Sequence, residues 1–63
     1  MPRIIVEWLE GRTIEQKRRL ANLIAEAVVQ VDPSLKKDDV EVVYRDISKS
    51  NIGRGGVLQV DRK

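Results

Sequence analysis

A chain of 63 residues without cysteine or histidine has neither a disulfide staple nor the usual structural zinc ligands. Its net charge of +2 is spread over interspersed acids and bases, so no cationic stripe of the kind that phosphate backbones select is present. Hydrophobic residues at 41% and charged ones at 35% suit a folded, soluble chain. One domain over residues 1–63 is expected, and so short a chain leaves much apolar surface wet unless it self-associates.

Pro2-Arg3-Ile4-Ile5-Val6-Glu7-Trp8-Leu9 opens the chain as a strand over residues 3–9. Alternation sends Ile4, Val6 and Trp8 to one face and Ile5, Glu7 and Leu9 to the other. Both faces carry apolar side chains, which predicts cover by a helix on one side and by another subunit on the other. Glu10-Gly11-Arg12 breaks the pattern, with Gly11 free to take a positive φ.

Thr13-Ile14-Glu15-Gln16 has the form of a capping box and starts a helix. Leu20, Leu23, Ile24, Ala27, Val28 and Val31 then recur at three- and four-residue steps as one apolar stripe, with Lys17, Arg18, Asn22 and Glu26 on the wet side. Asp32-Pro33-Ser34 stops the helix, because proline disfavours the α conformation of the residue before it. Lys36 to Asp39 is a charged connection, and Val40 to Ile47 is a β-branched second strand. The spacing predicts a βαβ unit with parallel strands and a right-handed crossover. Ser48 to Gly56 reads as a loop, Val57 to Val60 as a short third strand, and Asp61 to Lys63 as a loose tail. The apolar runs are far too short to span a bilayer, and no signal-peptide core is expected. Lack of cysteine fits a reducing compartment, so the expected location is cytoplasmic.

The missing residue types remove most chemistry. Without His or Cys there is no serine triad, thiol nucleophile or conventional transition-metal cluster. Gly53-Arg54-Gly55-Gly56 lacks the lysine and spacing of a phosphate-binding loop and reads as a turn. What remains is the N-terminus. Removal of Met1, favoured by so small a second residue, makes Pro2 a free secondary amine at the head of a strand. An α-amine starts near roughly 8, closer to neutrality than a carboxylate or a lysine. Apolar surroundings and neighbouring guanidinium groups disfavour its protonated form. Arg12, Arg45 and Arg54 are the candidate neighbours, and the same cations would hold the carboxylate of an acidic substrate. With Met1 retained, the Pro2 nitrogen is an amide and cannot act as a base.

Met1-Pro2 at a strand start, Leu9-Glu10-Gly11-Arg12-Thr13, Glu15-Gln16-Lys17 at the helix start, a β-branched second strand and Gly53-Arg54-Gly55-Gly56 together resemble the 4-oxalocrotonate tautomerase family. The likeness runs over nearly the whole chain. It implies an α/β fold: a small β-α-β subunit with parallel strands and a short C-terminal hairpin, which dimerises and assembles further into a homohexamer, a trimer of dimers. It implies cofactor-free, metal-free isomerisation of unsaturated 2-hydroxy or 2-oxo acids, in aromatic catabolism; the interspersed charges and short apolar runs separately predict no nucleic-acid or membrane partner. Pro2 would be the base. Arg12 would bind a substrate carboxylate in a pocket shared between subunits, with Leu9 and Ile52 lining it.

Three positions depart from the family's pattern. Glu41 stands where an arginine polarises the substrate carbonyl, and an acid there would repel a dicarboxylate. Arg45 shares that strand face but lies about 13 Å further along. Ile52 replaces an aromatic pocket residue, and Arg54 replaces a small apolar one, so Arg54 is a candidate for the lost cation. Two alternatives stand beside the tautomerase reading. One is a catalytically silent oligomeric relative serving as scaffold or binding module. The other is a hydratase-type dehalogenase or decarboxylase using the same Pro2, with Glu41 positioning a water.

Overall fold

A computed structural model describes residues 2–62. Strand β1 (Arg3–Leu9) leads through helix α1 (Ile14–Val31) to strand β2 (Glu41–Ile47), and a two-strand hairpin follows, β3 (Gly53–Arg54) and β4 (Val57–Leu58). β1 and β2 pair in parallel, from Arg3 opposite Glu41 to Leu9 opposite Ile47. This is the expected β-α-β unit with a C-terminal hairpin. Among the described residues, no helix is long and apolar enough to cross a membrane.

The start of α1 is fixed by its sequence. Thr13 Oγ1 accepts from the Gln16 amide at 3.1 Å, and Gln16 Oε1 accepts from the Thr13 amide at 2.9 Å. Two amides that have no partner within the helix are thus satisfied reciprocally. Gly11, with φ 122°, makes the preceding turn in a conformation that side chains oppose. At the other end the Asp32 amide donates to the Val28 carbonyl at 2.9 Å, and Pro33 prevents another turn. Thr13→Ala is expected to destabilise the fold by about 1 kcal/mol, read as a lower urea midpoint at constant m-value.

One face of the sheet carries Ile4, Val6 and Trp8 beside Val42, Tyr44 and Asp46, and α1 packs there. Trp8 and Tyr44 stack with ring centroids 5.4 Å apart and planes 7° from parallel. The Tyr44 hydroxyl donates to the Lys17 carbonyl at 2.6 Å, which ties β2 to the first turns of the helix. The helix side that is covered is Lys17, Leu20, Ala21, Ile24, Ala25, Val28 and Val29. This corrects the expected stripe in two respects. Leu23, Ala27 and Val31 are exposed, and Lys17 is half-buried rather than on the wet side. The apolar arc of α1 is wider than one sheet can cover, and periodicity alone does not say which flank of the arc faces it.

The C-terminal segment differs from the sequence reading. The expected strand over 57–60 is only Val57–Leu58, because Gln59–Asp61 turns into a 3-10 helix. The expected loop contains a second such turn, Lys49–Asn51, and the first strand of the hairpin. Gly55 and Gly56 form the two-residue hairpin connection with φ 60° and 80°. Two positive φ values are what a type I′ turn requires, and two adjacent glycines supply them without strain. The short register, Gly53 opposite Leu58 and Arg54 opposite Val57, follows from that tight turn.

Candidate active site

Pro2 sits half-buried immediately before β1, and its carbonyl accepts from the Glu41 amide at 2.9 Å. That bond extends the parallel ladder by one residue and fixes the head of the chain against the start of β2. The removal of Met1, on which a free amine depends, lies outside the described residues. Arg3 Nε donates to Glu41 Oε1 at 2.9 Å. The acid that departs from the family's pattern therefore has a counter-charge beside it. The pair is exposed and is worth little in stability, yet it reduces the local negative charge near Pro2. Arg3 was missed in the sequence, although its signal was present. Parallel register places Arg3 and Glu41 side by side at the two strand starts.

Arg45 lies further along the same sheet face and pairs with Glu7 at 3.3 Å. Within a subunit it is not beside Pro2. Arg12 lies beyond the opposite end of β1. Between Pro2 and Leu9 are seven residue steps, about 23 Å at strand rise, so one subunit does not bring Pro2 and Arg12 together. Leu9 and Arg12 do meet, since Arg12 Nη1 donates to the Leu9 carbonyl at 3.0 Å.

The exit of β2 joins this second end. The Glu10 amide donates to the Ile47 carbonyl at 2.9 Å, and Glu10 Oε2 accepts from the Lys49 amide at 3.0 Å. Ile52 and Arg54 follow that turn. The Ile52 carbonyl accepts from the Gln59 amide at 2.8 Å, and the Arg54 carbonyl accepts from Arg62 Nη2 at 3.0 Å. Both bonds use backbone and leave the two side chains exposed.

Around Arg12 lies a cluster that the sequence did not announce. The guanidinium carbon sits 4.8 Å from the centroid of the Trp8 ring, a cation–π contact. The Trp8 indole N–H donates to Asp46 Oδ1 at 2.7 Å, and Lys17 Nζ donates to Asp46 Oδ2. The hydrogen bonds from Lys17 and then Trp8 hold the Asp46 carboxyl below its ordinary value of 3.8, and the charges of Lys17 and Arg12 add to this while burial opposes it. A carboxyl depressed in the folded state contributes stability that is complete above its unfolded value and lost as pH falls through the folded one. The stability advantage of wild type over Asp46→Asn is therefore expected to be full above pH 3.8. It shrinks below that, as read from acid-unfolding curves followed by circular dichroism.

The candidate residues thus lie apart: a strand-initiating proline at one end of a short parallel β-α-β unit and a stacked arginine at the other. The sequence profile described as "Tautomerase enzyme" matches residues 2–62. A probable tautomerase of Listeria monocytogenes is 34% identical over 61 residues, covering 97% of this chain and 98% of that protein. A probable tautomerase of Bacillus cereus is 36% identical over 62 residues, covering 98% and 100%. Among solved structures, a 4-oxalocrotonate tautomerase homologue superposes with a TM-score of 0.88 at 28% identity, over 100% of this chain and 98% of that one. A structure from work on the 4-oxalocrotonate tautomerase isozymes of Methylibium petroleiphilum gives a TM-score of 0.78 at 33% identity, over 97% and 100%. The chain belongs to the tautomerase family.

Proposed function

We propose that this protein is an isomerase which moves a proton within an unsaturated 2-hydroxy or 2-oxo acid, using the amine of Pro2 once Met1 is removed. The amine takes a proton from the carbon next to the carbonyl of a 2-oxo acid, or from the hydroxyl of a 2-hydroxy acid, and the electron pair released is held as a dienolate. The resulting ammonium returns the proton to the far carbon, so that the double bond shifts and the amine is regenerated. Arg12 of a neighbouring subunit holds a substrate carboxylate. The roughly 23 Å from Pro2 to Leu9 supports that sharing. Negative charge on the carbonyl oxygen needs a cation, and with Glu41 at the second-strand position Arg54 is proposed to supply it. An Arg54→Ala variant with unchanged turnover would remove that assignment.

The observation that carries this reading is the position of Pro2, which is half-buried with its carbonyl held by the Glu41 amide at 2.9 Å. Its nitrogen is thereby fixed at the head of the sheet in a chain of the tautomerase family. The pairing of Glu41 with Arg3 at 2.9 Å argues against a free carboxylate poised to activate water, and so favours proton transfer over hydration. Two measurements test the proposal together. Intact mass of the native protein shows whether Met1 is gone. Ultraviolet monitoring of a panel of 2-hydroxydienoates shows whether enol converts to ketone. Quantitative retention of Met1 and no turnover across the panel would point to the scaffold reading.

A further inference from the structure

We infer that Trp8 and Asp46 are positioning residues for Arg12, holding its guanidinium ready to receive a carboxylate. This rests on the reading of Arg12 as the substrate clamp. Arg12 follows Gly11 in a turn where the backbone leaves helix and strand alike, and its side chain is exposed. A long cationic side chain in that setting samples many rotamers, and ordering it on binding weakens affinity. Here the ordering is already done. The Trp8 ring supports the guanidinium at 4.8 Å, and the Leu9 carbonyl takes one N–H at 3.0 Å. With five N–H donors in a fixed fork, the guanidinium has donors left for a ligand after that one bond.

The support is itself braced. Tyr44 stacks on Trp8 at 5.4 Å, and Asp46 accepts the indole N–H at 2.7 Å. The second oxygen of Asp46 is taken by Lys17, which anchors the carboxylate to α1. Lys17 also answers the charge of Asp46, so the positive charge of Arg12 is left to a ligand. A leucine at position 8 would fill the core but would give the guanidinium no π face to rest on. The run Lys17–Asp46–Trp8–Arg12 thus carries order from the helix to the clamp. Trp8 and Asp46 act through Arg12 rather than on the substrate.

Trp8 is the chain's sole tryptophan, so its emission reports on this contact directly. With the full, processed chain, titration with glutarate, a saturated dicarboxylate that cannot tautomerise, is expected to give a saturable change in Trp8 emission. The change should persist in Pro2→Ala and vanish in Arg12→Ala. In kinetics on the dienoate turned over fastest, Trp8→Leu is expected to raise KM about fivefold with kcat within about twofold, because a remote carboxylate is held equally in ground and transition states. Trp8→Phe keeps an aromatic face and is expected to retain most of the wild-type KM. Circular dichroism and sedimentation identify any variant that fails to fold.

Absence of the glutarate signal in wild type, its survival in Arg12→Ala, or an unchanged KM in folded Trp8→Leu overturns the inference. The catalytic reading fails separately, by full turnover in a protein whose Pro2 nitrogen is blocked. In that event the glutarate titration still decides whether Trp8 and Arg12 bind a carboxylate as a unit.

Discussion

Pro2→Ala is expected to lower kcat/KM about a hundredfold, and a form that keeps Met1 by about 10²- to 10⁴-fold. The two changes differ in what they leave behind. Alanine still ends in an amine, so some proton transfer survives. That amine is primary, and it has lost the pyrrolidine ring that fixes φ and with it the direction of the lone pair. A retained Met1 removes the proposed base outright, since the nitrogen then joins a planar amide whose lone pair is delocalised. Pro2→Leu produces this form, because a bulky second residue blocks removal of Met1. Both substitutions keep the Pro2 carbonyl that accepts from the Glu41 amide at 2.9 Å. The start of the sheet is therefore expected to persist, and circular dichroism should match wild type. Initial rates of enol loss at saturating and sub-saturating substrate, with intact mass confirming each N-terminus, make the measurement. A Met1-retaining Pro2→Leu protein that turns over at the wild-type rate would exclude proton transfer through this nitrogen.

The local elements were legible because local chemistry decides them. Thr13 and Gln16 announce the capping box, Pro33 announces the helix stop, and strict alternation separates Ile4, Val6 and Trp8 from Ile5, Glu7 and Leu9. The misread parts depend on distance in sequence. Whether Leu23 or Ala25 faces the sheet is a question of helix rotation, and 3.6-residue periodicity leaves the flanks of a wide apolar arc equivalent. Val57 to Val60 has strand composition throughout. The strand nevertheless stops after Leu58, where the chain turns into the 3-10 helix Gln59–Asp61.

The cluster around Arg12 joins residues 8, 12, 17 and 46, and no motif encodes it. Once parallel register is assumed it is partly recoverable, since Trp8 then falls opposite Asp46. The same register sets Arg3 opposite Glu41, and so changes the meaning of the acid at that position. Glu41 taken alone suggests repulsion of a dicarboxylate, whereas Glu41 beside Arg3 is half of a nearly neutral pair.

Ile5→Asp is expected to dissociate the assembly and abolish turnover together, although it alters neither Pro2 nor Arg12. A lone subunit is a poor fold by three measures. Its radius of gyration is 15.2 Å, against about 11 Å for a compact chain of this length. Its accessible surface is 5143 Å², against about 4,100 Å² for a typical monomer of its mass. Among the described residues only Ala25 is buried. Such a chain is expected to gain the missing burial from copies of itself, and the sheet face opposite α1 is suited to that.

Along that face the cross-strand pairs alternate in character. Arg3 with Glu41 and Glu7 with Arg45 are charged, while Ile5 with Val43 and Leu9 with Ile47 are apolar. Ile5 stands between the two ion pairs and is 45% exposed in the subunit. An aspartate there is harmless in a monomer. Under a second subunit it is an unpaired buried charge, which costs several kcal/mol. Sedimentation should therefore show smaller species for Ile5→Asp. For wild type the melting temperature should rise with protein concentration, as binding linkage requires, and the variant should melt lower. Activity should fall with the assembly, because Pro2 and Leu9, which precedes the Arg12 turn, stand about 23 Å apart in one subunit, so the proposed site needs Pro2 and Arg12 from different subunits. Wild-type sedimentation with wild-type turnover in Ile5→Asp would exclude this face from the interface. Full turnover in a variant that sediments as a monomer would overturn the proposal that Pro2 and Arg12 of different subunits share one site.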